Sequence, residues 1–251
     1  DIQSICEDII VARRKDGMYG CFNIRGEQII PFEYDEIRSF VEGRARIRYK
    51  GRFGFIDKSG EIIVPPFYDE VENFVDNCSL VTVKGKKAFV SLNGDWIASP
   101  IYDDGDSFSY GLAALSQNGK YGYIDKTGNF VIPVQYSAAK SFNGKSGIAA
   151  VALDGAWGAI DNKGNTVVPN QYDGIKVCDD GYVVVEKDGK TGIYAKSGAI
   201  MFPAVCDRLT YSSGDLFRNG VVSARVNGER VSIDQNGNVI YRYSSLDMQS
   251  E

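Results

Sequence analysis

The sequence predicts an all-β fold of seven tandem repeats, each about 34 residues long. Three observations lead to this prediction. An aromatic residue followed by glycine returns at a nearly constant spacing, glycine-containing turn motifs recur at two places in each copy, and the composition is rich in Tyr (15) and Phe (13). Short apolar runs between such turns are typical of antiparallel sheets joined by tight hairpins.

The repeat is visible in the segments GRFGFIDKSGEIIVPPFYDEV from Gly51, GKYGYIDKTGNFVIPVQYSAA from Gly119 and GAWGAIDNKGNTVVPNQYDGI from Gly155. The position after the aromatic residue marks each copy, and these anchors are 34 residues apart in four of the six steps. The seven anchors are Gly20, Gly54, Ala88, Gly122, Gly158, Gly192 and Val231. We predict a single repeat domain over residues 1–251, in which neighbouring units form one continuous body.

A two-residue turn is predicted three residues before each anchor. Five of the seven pairs are Asn-Gly or Asp-Gly, which favour two-residue hairpins because both positions need positive φ. The pairs are Asp16-Gly17, Lys50-Gly51, Lys84-Gly85, Asn118-Gly119, Asp154-Gly155, Asp188-Gly189 and Asn227-Gly228.

A second turn follows each anchor, in motifs such as IDKSG, IDNKG and IDQNG. Asp57, Asp125, Asp161 and Asp234 stand three residues before the turn glycine, as expected for a type I turn that begins with Asp and ends with Gly. The turn glycines are at positions 26, 60, 94, 128, 164, 198 and 237.

Three strands per unit are predicted around these turns, and the last is predicted to close at a proline, where a missing N–H costs least. These prolines are Pro31, Pro65, Pro100, Pro133, Pro169 and Pro203. The extended piece YDEVENF, from Tyr68 to Phe74, recurs in three other units and is predicted as a fourth strand. Seven such units favour a propeller-like ring, with an open β-superhelix or solenoid as the alternative.

These motifs resemble the WG-repeat (KWG) family of bacterial proteins. The aromatic-Gly dipeptide occurs as Tyr19-Gly20, Phe53-Gly54, Tyr121-Gly122 and Trp157-Gly158, each followed by the IDxxG-type turn, the proline and, in most units, a YD pair. Units three, six and seven differ, with Lys87-Ala88, Thr191-Gly192 and Arg230-Val231 at the dipeptide. The resemblance implies a noncatalytic β-repeat protein, exported or at the cell surface in preference to cytoplasmic, and it supplies no catalytic residue.

Composition excludes several classes of function. The net charge of −5 disfavours binding to nucleic acid, and no apolar run is long enough to form a transmembrane segment. The chain has no His, and its five cysteines are scattered without a CxxC pair, so they are interpreted as buried thiols. We therefore expect no enzyme activity, no cofactor and no metal. The first residue is Asp1, which leaves open a leader or an upstream domain.

The candidate binding residues are cations on two adjacent predicted units. Arg44, Arg46, Arg48 and Lys50 alternate with Ala45, Ile47 and Tyr49, so a strand would place all four cations on one face. Arg13 and Arg14 occupy the matching strand of unit one. One interpretation is a solvated face balanced by nearby acids; the other is a contact for an anionic partner.

Two further sets recur once per unit. The aspartates of the YD pairs are interpreted as turn or strand-entry residues, with calcium binding as the alternative. The Tyr and Phe ladders are assigned to packing between units, with a carbohydrate platform as the alternative for any exposed Tyr. The ladders are Tyr34, Tyr68, Tyr102, Tyr136 and Tyr172, and Phe40, Phe74, Phe108, Phe142 and Phe217. The sequence thus predicts a scaffold that binds a protein or peptide, or alternatively a glycan.

Overall fold

The computed structural model describes residues 1–211 and 214–243, and the regular secondary structure of these residues consists of 28 β-strands. The all-β prediction is confirmed. The strands form seven four-stranded antiparallel sheets, each with its strands in chain order, as in the blade of a propeller. Sheets are numbered here in chain order. Over the same residues, no helix is long and apolar enough to cross a membrane.

The chain divides into two compact units, and the first consists of residues 1–107 and 126–128. It contains sheets 1 to 3. Sheet 1 is β1 (Ile2–Cys6), β2 (Ile9–Arg13), β3 (Tyr19–Asn23) and β4 (Gln28–Tyr34). Sheet 2 is β5 (Glu36–Ile37), β6 (Arg44–Tyr49), β7 (Arg52–Asp57) and β8 (Ile62–Tyr68). Sheet 3 is β9 (Glu70–Val71), β10 (Cys78–Val83), β11 (Lys86–Ser91) and β12 (Trp96–Tyr102).

The second unit consists of residues 108–125 and 129–251 and contains β14 to β28. Sheet 4 is β13 (Asp104–Gly105), β14 (Ala113–Gln117), β15 (Lys120–Ile124) and β16 (Phe130–Tyr136). Sheet 5 is β17 (Ala138–Ala139), β18 (Ile148–Leu153), β19 (Ala156–Asp161) and β20 (Thr166–Tyr172). Sheet 6 is β21 (Gly174–Val177), β22 (Val183–Lys187), β23 (Lys190–Tyr194) and β24 (Ile200–Cys206). Sheet 7 is β25 (Arg208–Thr210), β26 (Val221–Val226), β27 (Glu229–Asp234) and β28 (Val239–Arg242). That the whole chain forms one domain stays a prediction.

The two-residue turns join the second and third strands of the sheets. Both turn residues have positive φ in the six pairs Lys50-Gly51, Lys84-Gly85, Asn118-Gly119, Asp154-Gly155, Asp188-Gly189 and Asn227-Gly228, which confirms the prediction there. The prediction is wrong for Asp16-Gly17, where only Gly17 has positive φ. The connection between β2 and β3 is longer than two residues. Within it the N–H of Gly17 donates to the carbonyl of Arg14, and an ion pair joins Arg14 to Asp16.

The second turns are confirmed in all seven sheets, since each turn glycine has positive φ. In sheet 2 the Oδ1 atom of Asp57 accepts hydrogen bonds from the N–H groups of Ser59 (2.8 Å) and Glu61 (2.9 Å). Asp234 holds the turn of sheet 7 in the same way, through the N–H groups of Asn236 and Asn238. The carboxylates of these aspartates accept hydrogen bonds from backbone N–H groups that the tight turn leaves without a backbone acceptor.

The anchor glycine lies opposite a bulge in the fourth strand of its sheet. In sheet 2, Phe53 pairs with Tyr68 and Phe55 with Val64, so Gly54 alone faces residues 65–67. A Cβ atom at Gly54 would clash with the carbonyl oxygen of Val64. Close approach of the bulge, and not a positive φ, therefore explains this glycine.

The prolines lie within these bulges, so the prediction that they close a strand is wrong. The six fourth strands continue for two or three residues beyond the proline and end at Tyr or Cys, as β8 ends at Tyr68. The proline is tolerated because the bulge already interrupts the hydrogen-bond ladder. Sheet 3 keeps the bulge with Ala88 at the anchor, whereas sheet 7 pairs Val231 directly with Arg242 and has neither the proline nor the wide bulge.

The predicted fourth strand from Tyr68 to Phe74 is wrong in extent. Tyr68 ends β8, and only Glu70–Val71 forms a strand afterwards. That strand pairs with β10 and is the first strand of sheet 3, not the last of sheet 2. The chain changes sheets at Asp69, whose carboxylate accepts a hydrogen bond from the N–H of Lys84. Each sequence repeat therefore gives strands to two consecutive sheets.

The core lies between neighbouring sheets. Ile30 of sheet 1 packs with Ile47 of sheet 2, and Val64 of sheet 2 packs with Val81 of sheet 3. Every member of the Tyr and Phe ladders is buried except Phe74, which is partly buried. Packing between consecutive sheets is confirmed for Tyr34 and Phe40, which share a core cluster of sheets 1 and 2, and for Tyr68 and Phe74, which share one of sheets 2 and 3.

Candidate functional site

The strand β6 presents its three arginines on one face, as its alternating sequence predicts. Ala45 and Ile47 are buried in the core shared with sheet 1, while Arg44 and Arg46 are half-buried and Arg48 is exposed on the opposite side. The predicted Lys50 lies in the turn after β6, with its Nζ atom 5.0 Å from the ring centroid of Tyr49, which packs on the core side of the strand. We call Arg44, Arg46 and Arg48 the arginine face. Its inner half lies against sheet 3, so these residues do not form a flat, fully solvated patch.

Aromatic and backbone contacts hold the arginine face in place. The guanidinium carbons of Arg46 and Arg48 lie 5.6 Å and 5.5 Å from the ring centroid of Phe53. The Nη1 atom of Arg46 also donates to the carbonyl of Val71 in sheet 3, over 3.3 Å. Cation–π contacts of this kind orient a guanidinium without neutralising its charge, so the face stays cationic.

The Nε atoms of Arg44 and Arg46 are buried and have no hydrogen-bond partner among the described residues. Arg44 is fixed by its Nη1 atom, which donates to the carbonyl of Glu42 over 3.2 Å. Buried donors are normally paired in folded proteins, because each unpaired one costs about 1–3 kcal/mol. Two such donors on neighbouring arginines are therefore the most unusual electrostatic feature of this surface.

A cleft of about 330 Å³ lies beside these two arginines, between sheets 2 and 3. We call it the arginine cleft. Arg38, Arg44 and Arg46 supply its cations, and Phe55 and Phe74 form an apolar wall with their rings 4.6 Å apart. Its other lining residues are Ser39, Val41, Glu42, Asn73, Val75 and Leu92.

The remaining two predicted cations, Arg13 and Arg14, make their contacts within sheet 1. Arg13 lies over the ring of Tyr19, at 5.7 Å, and Arg14 lies over Phe32 and pairs with Asp16. Arg46 and Arg48 instead share the ring of Phe53 in sheet 2. The structure therefore places the predicted cations in two groups on consecutive sheets, and Arg44 and Arg46 of the second group line the cleft.

Sequence reasoning missed Arg38, Phe55 and Phe74 as lining residues of the cleft. Arg38 follows β5, and its side chain forms an ion pair with Glu36. The signal that could have found them is the repeat itself, since Phe74 belongs to the Phe ladder and Phe55 follows an anchor glycine. Because residues at both of these repeat positions are expected to be buried, the repeat indicates that Phe55 and Phe74 pack against the face that carries Arg44 and Arg46.

An exposed aromatic cluster was also missed. Phe67 and Trp96 are 55% and 46% exposed, and the buried ring of Tyr68 joins them, with centroids 5.7 Å and 5.8 Å away. Phe67 precedes the ladder Tyr, and Trp96 begins the fourth strand of the next sheet. The position of Phe67 is not aromatic in any other unit, and the position of Trp96 is aromatic only once more, at Phe130, so periodicity gave little signal for them.

The recurrent aspartates are confirmed as turn residues where their contacts are seen. The Oδ2 atoms of Asp35, Asp173 and Asp207 accept hydrogen bonds from the N–H groups of Gly51 (2.8 Å), Asp188 (2.7 Å) and Gly228 (2.9 Å). Each aspartate thus closes the two-residue turn of its own sheet. Within residues 1–211 and 214–243, no three or more Asp, Glu or Cys side chains are grouped as metal ligands.

The cysteines are free thiols, and four of the five are buried: Cys21, Cys78, Cys178 and Cys206. The prediction of mostly buried thiols is confirmed. Burial raises the pKa of Cys21 and of Cys178 to about 12, because the apolar surroundings disfavour the thiolate. Buried thiols of this kind are unreactive packing residues.

The family model described as "WG containing repeat" matches residues 19–52, 53–86, 89–121, 121–155 and 157–190. None of the curated proteins matches the chain. Among solved structures, a eukaryotic initiation factor is 12% identical with a TM-score of 0.47, and the match covers 94% of this chain and 74% of that one. Hsv2p of Kluyveromyces lactis is 10% identical with a TM-score of 0.45, and the match covers 95% and 94%.

Proposed function

Because the chain belongs to the WG-repeat family, we propose that it is a noncatalytic β-repeat scaffold that binds a protein or peptide partner through the arginine face. This proposal rests on one observation: sheet 2 has arginines where the equivalent positions of sheet 4 have apolar residues. Where sheet 2 has Arg44 and Arg46, sheet 4 has Leu112 and Ala114, both buried. Cations at such a position do not serve packing, which supports a role in recognition.

The charge of the whole molecule strengthens this interpretation. The chain carries a net charge of −5, so three arginines on one face of β6 are a local excess of positive charge. Complementary charge steers an anionic partner to such a place and fixes its orientation. The contacts with Phe53 hold Arg46 and Arg48 in a defined arrangement, which lowers the entropy lost on binding.

The test is partner capture with a charge-reversed variant. Arg46→Glu/Arg48→Glu should lose the proteins that the unmodified chain retains from an extract of its source organism, measured by quantitative mass spectrometry. The matched control is Arg218→Glu/Arg225→Glu, which changes net charge equally at two exposed arginines of sheet 7 and its preceding loop. Equal retention by both variants would overturn the proposal.

The second candidate function is glycan binding, and the aromatic cluster favours it. Phe67 and Trp96 expose their rings on either side of Tyr68, and amphipathic aromatic rings are suited to stacking against sugar faces. Trp96→Ala should abolish binding to a glycan array, whereas Arg46→Glu/Arg48→Glu should leave it unchanged. Binding of no glycan by the unmodified chain would remove this candidate.

A further inference from the structure

We propose that the arginine cleft is a carboxylate-binding site for an acidic peptide, in which one Asp or Glu side chain of the peptide bonds to Arg44 and Arg46. This inference rests on the proposed function, because it specifies what the arginine face recognises. It places the recognised group inside the cleft between sheets 2 and 3, and not on the open part of the face around Arg48.

The charge balance of the cleft leaves two cations without a carboxylate. Arg38 is paired with Glu36, so its charge is already balanced. Glu42 lines the cleft, but its contact with Arg44 is through the backbone carbonyl and not through its side chain. Neither Arg44 nor Arg46 has an ion pair among the contacts seen in the described residues. A single carboxylate between the two arginines would offset one of these two positive charges.

The donors of the two arginines match the two oxygens of a carboxylate. Each guanidinium uses one Nη atom on a backbone carbonyl, Glu42 for Arg44 and Val71 for Arg46, and each keeps a buried Nε–H without a partner. Guanidinium groups bind carboxylates through such fixed, planar donors, and hydrogen bonds between charged groups are about twice as strong as neutral ones. Because the Nε atoms are themselves buried, a carboxylate that enters the cleft bonds to the remaining Nη N–H groups of the two arginines.

The walls of the cleft favour a peptide over a free inorganic anion. Val41 and Val75 lie at the cleft with exposures of 65% and 40%, and Phe55 and Phe74 form its apolar side. A volume of about 330 Å³ accommodates an acidic side chain and part of an apolar neighbour. Apolar contact next to a paired charge is the usual composition of a peptide-recognition pocket.

The equivalent place between sheets 4 and 5 shows how the same arrangement of strands packs when it has no arginines. Leu112 and Ala114 of sheet 4 pack directly with Phe142 of sheet 5, and all three are buried. Phe142 is 2% exposed, whereas Phe74 is only partly buried. The cleft is therefore a local property of sheets 2 and 3 and does not follow from the repeat.

The experiment uses the full chain and follows the Nε–H resonances of its arginines by NMR. The probe is a capped peptide Leu-Glu-Leu flanked by glycines, compared with the same peptide carrying Gln and with inorganic phosphate. We expect the Glu peptide to shift the Arg44 and Arg46 resonances saturably and to leave Arg225 unchanged, and we expect the Gln peptide to bind at least tenfold more weakly. Arg46→Lys, which keeps the charge and loses the planar donor pair, should weaken binding about tenfold.

Several results would overturn the inference. These are equal shifts at Arg44, Arg46 and Arg225, no shift with saturating Glu peptide, or shifts with phosphate and not with the peptide. The variant Arg44→Leu/Arg46→Ala separates this inference from the proposed function. If it keeps partner capture while Arg46→Glu/Arg48→Glu loses it, the arginine face binds the partner outside the cleft. If neither variant loses capture, the proposed function itself fails.

Discussion

The contact between sheets 2 and 3 and the contact between sheets 4 and 5 share one frame and differ in what fills it. In both, a Phe-ladder ring packs on the aromatic residue after the anchor glycine: Phe74 on Phe55 at 4.6 Å, and Phe142 on Tyr123 at 4.8 Å. The remaining positions are two arginines in the first case and Leu112 and Ala114 in the second. The difference shows that the turns and bulges specify the sheets, while the faces between sheets are free to carry function.

The largest expected effect comes from placing the arginine of one contact into the other. Ala114→Arg would force a long cation into a buried position that already packs against Phe142 and Ala149. Overpacking and an unpaired buried charge together should lower the free energy of unfolding by about 4 kcal/mol or more. Urea titration followed by fluorescence would measure this. A loss under 1 kcal/mol would show that sheets 4 and 5 can open as sheets 2 and 3 do.

Truncation of the two ladder rings should have unequal effects. Phe142→Ala removes a ring from a closed core and should cost about 3–5 kcal/mol, the usual range for a buried Phe. Phe74→Ala should cost about half as much, because its ring is partly buried and borders the cleft, so less contact is lost. The midpoints of chemical unfolding of the two variants would be compared. Equal losses of unfolding free energy in the two variants would show that Phe74 packs between sheets 2 and 3 as completely as Phe142 packs between sheets 4 and 5.

Giving the contact between sheets 2 and 3 the residues of the contact between sheets 4 and 5 should stabilise the fold slightly. Arg44→Leu/Arg46→Ala reproduces the residues of sheet 4 and removes two half-buried cations with unpaired Nε atoms. Replacing buried charge with apolar side chains is often stabilising, by about 1–4 kcal/mol, and the lower end applies here because both arginines are only half-buried. Thermal unfolding would detect the change. A lower midpoint would show that the arginines stabilise the fold through the Phe53 and Val71 contacts.

The smallest difference is expected in the second turns, which are alike in the two regions. Partial burial opposes ionisation of Asp57 and Asp161, but hydrogen bonds from Ser59 or Asn165 and from backbone N–H groups outweigh it and lower each pKa below 3.8. Because the folded-state pKa is the lower one, the stabilisation is present above pH about 4 and is lost as the pH falls through the folded-state value.

The variants Asp57→Asn and Asp161→Asn should therefore reduce the acid sensitivity of the fold by equal, small amounts. Asn23 already holds the same turn in sheet 1, with its Oδ1 accepting from the N–H groups of Arg25 and Glu27. Unfolding would be measured from pH 2 to pH 6, and unequal effects would indicate that the two turns are not equivalent.

Local turn chemistry was largely readable from the sequence, because glycine and aspartate at fixed spacing leave few backbone alternatives. The bulge was not, since the sequence gives no direct sign that Gly54 faces the three residues 65–67. The shortness of the strand after Asp69 was also missed, because an extended run does not state how many of its residues form ladder hydrogen bonds. The cationic alternation of β6 was readable, but the cleft depends on Phe55 and Phe74 from two different sheets, which only tertiary packing brings together.

The most direct test of this account is an experimental structure of the full chain that resolves the guanidinium groups of Arg44 and Arg46. We expect both side chains between sheets 2 and 3, with Nη1 of Arg46 on the Val71 carbonyl and an open space beside Phe74. Arginines turned out to solvent, with Phe74 packed as completely as Phe142, would contradict it.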